Sequence, residues 1–154
     1  MQTLNLPVAA LRIRKKGEKM EVFDRIRKKF ITLTPEEWVR QHFIHYLTDR
    51  RNVPDSLISV EASLSYNRLK KRSDIVVYGN DGSPRLIVEC KAPDVPVTQA
   101  VFDQAAMYNM TLKVPFLAVT NGMEQFACFI DHEKKKYHFL KEIPEYKDMV
   151  IGNL

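Results

Sequence analysis

Residues 34–49 carry apolar side chains at the spacing of an amphipathic α-helix. Thr34 is a suitable N-cap, Pro35 suits the first helical position, and Glu37 completes a Thr-x-x-Glu capping box. The apolar stripe of this segment consists of Val39, Phe43, Tyr46 and Leu47. The pattern therefore predicts a helix that ends near Asp49.

A second helical pattern covers residues 96–112. Its apolar side is formed by Val97, Val101, Ala105, Tyr108 and Leu112. Gln104 interrupts this side one turn before Tyr108, so we expect a polar amide that points toward the core. A buried amide needs hydrogen-bond partners, and the sheet beneath the helix is their nearest source. The alternatives are that Gln104 is a satisfied packing residue and that Tyr108 belongs simply to the core.

The remaining apolar runs have the lengths and the alternation of β-strands. They are residues 57–66, 73–78, 85–91, 115–120, 123–130 and, as an edge strand, 137–143. The turn-forming residues 79–84 connect the second run to the third. Asn121-Gly122 predicts a two-residue hairpin turn between the fourth run and the fifth.

Residues 1–33 predict an extended arm of short strands, with a turn at residues 16–18. The chain of 154 residues is near the usual size of one domain. We therefore expect a single α/β domain over residues 1–154, with the arm at 1–33 and the core at 34–141. In that core a mixed central sheet is flanked by helices.

Composition excludes several classes of protein. The chain is 45% hydrophobic and 28% charged, which is typical of globular rather than disordered proteins. No apolar run approaches the roughly 20 residues needed to cross a bilayer, and the basic residues near the N-terminus follow an apolar patch, the reverse of a secretory signal. We expect a cytoplasmic protein with no membrane partner. Cys90 and Cys128 lie in strand patterns without metal-site spacing, so buried thiols are expected.

The net charge of +5 is concentrated in two clusters. Residues 12–29 hold nine basic side chains against three acidic ones, and residues 68–72 read Arg-Leu-Lys-Lys-Arg. Either cluster can be a solvated face, but two clusters in one small domain favour contact with a phosphate backbone. Arg72, in the second cluster, is a candidate substrate-binding residue.

Symmetric pairing about the loop at 79–84 brings two carboxylates together. The opposed pairs are then Tyr78 with Arg85, Val76 with Ile87, Asp74 with Glu89, and Arg72 with Lys91. Glu89 and Lys91 share one face of the sheet because side chains alternate along a strand. Opposed side chains lie close together, and two like charges in that position are destabilising.

Three arrangements can compensate the two opposed carboxylates. One carboxyl group can stay protonated through a raised pKa. Lys91 and Arg72 can neutralise the pair. A hard divalent cation can bind oxygens of both groups. The first two arrangements are purely structural, and the residues alone leave all three open.

Taken in order, Asp74, the Glu89-x-Lys91 triplet and Gln104-x-x-x-Tyr108 resemble the PD-(D/E)XK nuclease superfamily with its QxxxY extension. The chain is more specifically similar to the N-terminal nuclease domain of type I restriction enzyme R subunits and its short stand-alone relatives. The matching segments are PEEWVRQHFIHYL, RSDIVVY, LIVECKAP, QAAMY and VTNG. The resemblance covers about residues 20–130 and implies a restriction-endonuclease-like core.

The resemblance implies roles for the matching residues. Asp74 and Glu89 would hold Mg²⁺, for which Mn²⁺ can substitute, with the backbone carbonyl of Cys90 as a further ligand. Lys91 would act beside the attacking water or the phosphate. Gln104 would brace the catalytic site.

Tyr108, Arg40 and Glu37 complete the implied set. Tyr108 and Arg40 would contact the DNA backbone. Glu37, in the Glu-x-x-Arg of the first helix, would be an additional catalytic acid. The capping box explains Glu37 equally well without any chemistry.

The implied function is Mg²⁺-dependent, endonuclease-like hydrolysis of DNA phosphodiester bonds in restriction or defence. The implied partners are DNA, helicase, methyltransferase or specificity subunits on other chains, and a second copy in a homodimer. The sequence has no GxxxxGK[ST] phosphate loop, so the helicase motor is not in this chain. Two alternatives remain: a non-catalytic DNA-binding or interaction module that keeps the nuclease fold in a larger restriction assembly, and a protein-interaction domain whose charges form only a salt-bridge network.

Overall fold

The computed structural model describes residues 1–151, which contain nine strands and three helices. The strands are β1 (Ile13–Lys16), β2 (Lys19–Asp24), β3 (Lys29–Thr32), β4 (Ile58–Tyr66), β5 (Leu69–Tyr78), β6 (Pro84–Cys90), β7 (Phe116–Thr120), β8 (Gln125–Asp131) and β9 (Lys136–Leu140). The helices are α1 (Pro35–Arg50), α2 (Gln99–Leu112) and α3 (Tyr146–Ile151), with a short 3-10 turn at Asp55–Leu57.

Six strands form the central sheet in the order β4-β5-β6-β7-β8-β9. All neighbours are antiparallel except β6 and β7, which are parallel. A parallel pair needs a long crossover connection, and α2 lies in that connection. The mixed sheet flanked by helices confirms the predicted α/β architecture.

The N-terminal arm is a separate antiparallel sheet in the order β1-β2-β3. The turn predicted at residues 16–18 lies between β1 and β2, with Gly17 at a φ of +63°. The arm was predicted as short strands, and this is confirmed. Its third strand and the C-terminal helix α3 were not individually predicted.

Helix α1 begins as the capping signal predicted. The Thr34 hydroxyl accepts a hydrogen bond from the backbone N–H of Glu37 at 3.0 Å. The reciprocal half of the predicted capping box is replaced, because the Glu37 carboxylate accepts hydrogen bonds from the Arg27 and Gln41 side chains. Helix α2 begins at Gln99, later than predicted, with Thr98 as its N-cap.

The two faces of the central sheet pack against different helices, and we call them the α1 side and the α2 side. Side chains on the α1 side include Ile75, Val77, Leu86, Val88, Cys90, Phe116 and Ala118. Side chains on the α2 side include Val76, Ile87, Leu117, Val119 and Cys128. Both cysteines are buried free thiols, as expected. Among residues 1–151 no helix has the length and apolar character needed to span a membrane.

The predicted register of the central hairpin is confirmed in its middle and wrong near its turn. Val76 pairs with Ile87 as predicted. Tyr78 pairs with Pro84 instead of Arg85, because a β-bulge follows Val77. Such a bulge adds one residue to one strand of the pair, which a symmetric pairing argument does not include.

The turn between β7 and β8 is displaced by one residue from the prediction. The N–H of Asn121 donates to the carbonyl of Glu124, so the turn is centred on Gly122 and Met123. Gly122 has a φ of +85°, and a Cβ there would lie 2.8 Å from Leu4 Cδ2. Glycine is therefore required at Gly122 both by its conformation and by the packing of the N-terminal segment.

Candidate active site

Asp74 and Glu89 occupy neighbouring strands at the end of the central hairpin. Asp74 comes directly before Ile75, which pairs with Val88 as predicted. Its Oδ2 accepts a hydrogen bond of 2.7 Å from the N–H of Cys90. The Asp74 side chain is 19% exposed and that of Glu89 is 14% exposed. The two carboxyl groups are therefore adjacent and largely removed from water.

The Glu89 carboxyl group is poorly compensated. Burial, followed by the nearby negative charge of Asp74, raises the pKa of Glu89 to about 7. The nearest cation is Lys71, whose Nζ lies 3.4 Å from Glu89 Oε1 and opposes this rise. Glu89 Oε1 is nevertheless buried without a hydrogen bond. A buried oxygen in this state has capacity for another positive ligand.

An open cleft of about 160 Å³ lies beside Glu89. It is lined by Lys71, Glu89, Lys91, Val101, Gln104, Ala105 and Tyr108. The cleft therefore contains most of the residues that the sequence motif selected, contributed by β5, β6, the segment after β6, and α2. Asp74 does not line the cleft, but its charge contributes to the raised pKa of Glu89, which does.

Lys71 is a cleft residue that the sequence motif did not select. Its Nζ lies 5.0 Å from the centre of the Tyr108 ring in addition to the ion pair with Glu89. Lys71, and not Arg72 as considered from the sequence, therefore forms the ion pair with Glu89. Arg72 is 68% exposed and donates a hydrogen bond to Glu61 instead.

An irregularity in β4 accompanies the placement of Lys71. Val60 packs on the α1 side, whereas Ala62 and Leu64 pack on the α2 side, although residues two apart in a regular strand share a face. Glu61, between them, has a φ of +55°, which is uncommon for a residue other than glycine. Lys71 pairs with Leu64 and so belongs to the part of the hairpin that faces α2.

Glu61 is a meeting point for three arginines. Its carboxylate oxygens lie 2.8 Å from Arg72 Nη2, 3.4 Å from Arg27 Nη1 and 3.5 Å from Arg40 Nη1. These interactions lower the pKa of Glu61 despite the opposing effect of burial. The Glu61 carboxylate thus connects β4 to the arm through Arg27 and to α1 through Arg40.

Helix α1 contributes Arg40 to the site. Its side chain is 7% exposed, and Nη1 lies 3.7 Å from Asp74 Oδ1, which is an ion-pair distance without a hydrogen bond. Nε lies 3.2 Å from Glu37 Oε2 but is also not aligned for a hydrogen bond. Arg40 is therefore a buried cation whose donors retain hydrogen-bonding capacity next to the carboxylates.

Glu37 is held in a buried network away from the cleft. Its carboxylate accepts hydrogen bonds from Arg27 Nη2 at 3.1 Å and from Gln41 Nε2 at 3.0 Å. The preceding residue, Glu36, is the one influenced by the site: burial and then the charge of Asp74 raise the pKa of Glu36. Sequence reasoning did not select Glu36, although it belongs to the same Pro-Glu-Glu segment.

Gln104 and Tyr108 line the cleft as the motif implied, but the reason given for Gln104 is wrong. We expected its amide to be buried and to need partners in the sheet. The side chain is exposed, and the buried polar residue of α2 is Asn109, whose amide donates to the carbonyls of Val114 and Phe116. The position of Gln104 within the apolar stripe therefore did not predict its exposure correctly.

A larger cavity of about 360 Å³ lies between the start of α2 and strands β8 and β9. Its lining consists of Val97, Thr98, Gln99, Phe102, Phe126, Phe139 and Leu140. None of these side chains titrates, so the cavity offers no acid, base or charged metal ligand. The chemistry is concentrated in the smaller cleft.

The donor set for a metal ion is small. Among residues 1–151 no group of three or more His, Cys, Asp and Glu side chains is arranged to hold a metal ion. Two carboxyl groups, those of Asp74 and Glu89, are adjacent, and Glu89 Oε1 accepts no hydrogen bond. These features fit a hard cation that completes its coordination with backbone oxygen and water, as Mg²⁺ commonly does.

Comparisons with known proteins show the family of this chain and agree with its fold. Residues 35–144 match the protein family described as "Type I restriction enzyme R protein N terminus". The fold is similar to a fragment structure from Vibrio vulnificus YJ016, described as an HsdR subunit of a type I restriction enzyme, with a TM-score of 0.57 and 22% identity. That match covers 78% of this chain and 25% of the other, so this chain spans about a quarter of its length. No curated protein gives a significant match.

Proposed function

This chain belongs to the family of type I restriction enzyme R protein N termini, and we propose that it is a Mg²⁺-dependent nuclease domain that hydrolyses DNA phosphodiester bonds. The observation that supports the proposal most strongly is the adjacent pair Asp74 and Glu89 beside the cleft lysines Lys71 and Lys91. Two adjacent, largely buried carboxyl groups suit a divalent cation, and the lysines suit a phosphate.

Asp74 and Glu89 would hold the ion, with the carbonyl of Cys90 as a further ligand. Asp74 is oriented for this by the N–H of Cys90, which occupies one carboxylate oxygen and leaves the other near Arg40. When bound, Mg²⁺ acidifies a coordinated water and stabilises charge on the attacked phosphate. Binding would also offset the burial and the repulsion by Asp74 that raise the pKa of Glu89.

The lysines and Arg40 would supply positive charge to the phosphate. Lys91 lines the cleft and would stabilise the developing charge on a non-bridging oxygen. Lys71 forms an ion pair with Glu89 at 3.4 Å and would add positive charge beside a phosphate bound in the cleft. Arg40 is buried beside Asp74 and would add positive charge near a bound phosphate.

Gln104, Tyr108 and Arg72 would position the DNA backbone. Gln104 is exposed on the rim of the cleft, so its amide is free to donate to a phosphate or to a coordinated water. Tyr108 packs beneath Lys71 and would keep its amine above the cleft. Arg72 is exposed next to Glu61 and would contact a phosphate farther along the strand.

Between the two acids of α1, we assign the additional catalytic acid to Glu36 in preference to Glu37. Glu36 is influenced by both Asp74 and Lys91, whereas Glu37 is occupied by Arg27 and Gln41. Glu36 would therefore act on water or on a second ion, and Glu37 would hold Arg40 in position.

The proposal is tested by incubating the purified protein with linear, circular and single-stranded DNA, with and without Mg²⁺ or Mn²⁺. We expect metal-dependent cutting that falls at least about 100-fold in Glu89→Ala and Lys91→Ala. Lys134→Gln, on the exposed turn between β8 and β9, is a matched surface control and should cut like the wild type. Glu36→Gln should reduce cutting without loss of stability, whereas Glu37→Gln should lower stability.

A second candidate is a non-catalytic DNA-binding or interaction module that retains the fold in a larger restriction assembly. The observation that favours it is the absence of a third clustered acidic, histidine or cysteine ligand among residues 1–151. Salt-sensitive DNA binding without cutting under any metal condition would support this module and exclude the nuclease. Cutting that survives Glu89→Ala would show that the proposed catalytic roles are wrong.

A further inference from the structure

The arm sheet exposes one face that the proposed reaction does not use. Cross-strand partners share a face, and the register pairs Arg14 with Glu21, Lys16 with Lys19, and Phe23 with Phe30. The opposite face contains Val22 and Asp24, which are fully buried against the rest of the protein. We call the exposed side, formed by Arg12, Arg14, Lys16, Lys19, Glu21, Phe23 and Phe30, the outer face.

The outer face is strongly basic. It carries four cations, Arg12, Arg14, Lys16 and Lys19, against the single acid Glu21. All four cationic residues are exposed. An excess of positive charge on this side of the sheet produces a local positive potential that attracts anionic polymers.

Two aromatic rings order the arginines of the outer face. Phe23 and Phe30 pack edge to face with their centres 5.3 Å apart. The Arg14 guanidinium carbon lies 3.8 Å from the centre of the Phe30 ring, and that of Arg12 lies 4.8 Å from the Phe23 ring. Glu21 also accepts a hydrogen bond from Arg14 Nε at 2.8 Å. The guanidinium groups are thus held in place before any ligand arrives, which reduces the entropy cost of binding.

The stacking indicates what kind of ligand this surface fits. The rings are covered by guanidinium groups, so they do not offer free faces to unstacked bases. A guanidinium group stacked on a ring keeps its terminal N–H donors for a phosphate. Arg12, Arg14 and Lys16 follow one another at every second position of the chain, about 7 Å apart, a separation similar to that of successive phosphates along a DNA strand.

The arm has a fixed orientation relative to the cleft. Asp24 Oδ1 accepts hydrogen bonds from the backbone N–H groups of Ile26 and Arg27, and its Oδ2 accepts from the Arg27 and Gln41 side chains. Arg27 also donates a hydrogen bond to Glu37, which lies in the same helix as Arg40. These buried bonds attach the arm to the helix that contributes Arg40, so the arm cannot swing freely about the domain.

We propose that the outer face of the arm binds the phosphate backbone of duplex DNA and so determines how the substrate lies across the cleft. The proposal rests on DNA as the substrate of the proposed nuclease. An acidic polypeptide would satisfy the same charge, but the fixed connection to the cleft and the regular spacing of the cations favour the nucleic acid.

The test measures binding of intact duplex DNA in EDTA, where no cutting occurs, as a function of salt concentration. Each phosphate contact contributes about 0.9 to the slope of log K against log salt. We expect the slope to become shallower by about 2 in Arg12→Gln/Arg14→Gln, and by a similar amount in Lys16→Gln/Lys19→Gln. Lys134→Gln/Lys135→Gln makes the same charge change on an exposed turn between β8 and β9 and should leave the slope unchanged.

The possible failures are distinguishable. If the wild type binds and cuts DNA but both outer-face variants keep the wild-type slope, the inference about the arm is wrong and the nuclease proposal stands. If the wild type neither binds nor cuts, the proposed function fails together with the inference. Should the variants lose binding of polyglutamate and keep that of DNA, the outer face serves an acidic polypeptide and our inference is overturned.

Discussion

Asp74 and Glu89 are adjacent carboxyl groups with different environments. Asp74 accepts the N–H of Cys90 and lies near Arg40, so its charge is supported on both oxygens. Glu89 is buried, and its nearest support is an imperfect ion pair with Lys71. Burial and the nearby charge of Asp74 therefore raise the pKa of Glu89 to about 7.

The raised pKa of Glu89 predicts a specific dependence of stability on pH. In the unfolded chain its pKa is about 4.5, whereas in the folded protein it is about 7. Its contribution to stability is thus fully present below about pH 4.5 and is lost as the pH rises through 7. Glu89→Gln should abolish this loss and be more stable than the wild type at about pH 8, by up to roughly 3 kcal/mol.

Urea unfolding in EDTA at about pH 5 and about pH 8 checks this prediction. The free energy of unfolding of the wild type should fall relative to that of Glu89→Gln between the two conditions. Parallel pH dependence in the two proteins would mean that Glu89 is already ionised at low pH and that its burial is compensated.

The residues of the site were predictable to different degrees. Asp74, Glu89 and Lys91 follow from hairpin register and motif order, both of which are local properties of the sequence. Lys71 was missed because side chains of β4 change faces at Glu61, so that Leu64 and its partner Lys71 in β5 lie on the α2 side. A single residue with a positive φ produces no periodic signal in the sequence. Tertiary packing alone decides that position.

Helix α1 differs from an ordinary amphipathic helix because its buried side carries charge. Glu37, Arg40 and Gln41 are buried next to Val39 and Phe43. The apolar stripe predicted the helix correctly. It gave no indication that three polar residues of the helix are also buried. Their partners, Asp24 and Arg27, come from the arm, so the burial depends on contacts that are distant in the sequence.

Arg27 is the central cation of this buried network, and its removal should be costly. Arg27→Gln leaves the carboxylates of Asp24 and Glu37 buried with reduced compensation. Loss of one partner from a buried ion pair typically costs 3–5 kcal/mol, so we expect destabilisation of about that size. Arg25→Gln is the matched control in the same turn, because Arg25 forms more exposed ion pairs with Asp49 and Asp55 that are worth about 0–1 kcal/mol.

Urea unfolding of both arginine variants at neutral pH compares the two effects. A large loss in Arg27→Gln with little change in Arg25→Gln is the expected outcome. Equal losses in the two variants would contradict the view that buried charges attach the arm to α1.

Among the elements, α1, α2 and the strands of the central sheet were predictable because their apolar patterns are strong. Strand β3 and helix α3 were not, since each is short and β3 lies in the charged arm. Bulges and turn centres, as at Val77 and Gly122, were also displaced by a residue. Such details are decided by backbone hydrogen bonds rather than by side-chain periodicity.

At the scale of the whole molecule, the arm, helix α1 and the cleft form one connected charged system. Arg27 joins the arm to Glu37, and Arg40 lies between Glu37 and Asp74. The family membership places this domain among type I restriction enzyme R protein N termini, and the chain spans about a quarter of the similar Vibrio vulnificus structure.

Anomalous diffraction from crystals soaked with Mn²⁺ at about pH 8, where Glu89 is ionised, tests most directly whether the two carboxylates hold a divalent cation. We predict an anomalous peak in direct contact with both Asp74 and Glu89 in the wild type and its disappearance in Glu89→Gln. A wild-type map without a peak between these carboxylates, at millimolar Mn²⁺ and with the cleft open to solvent, would contradict the account.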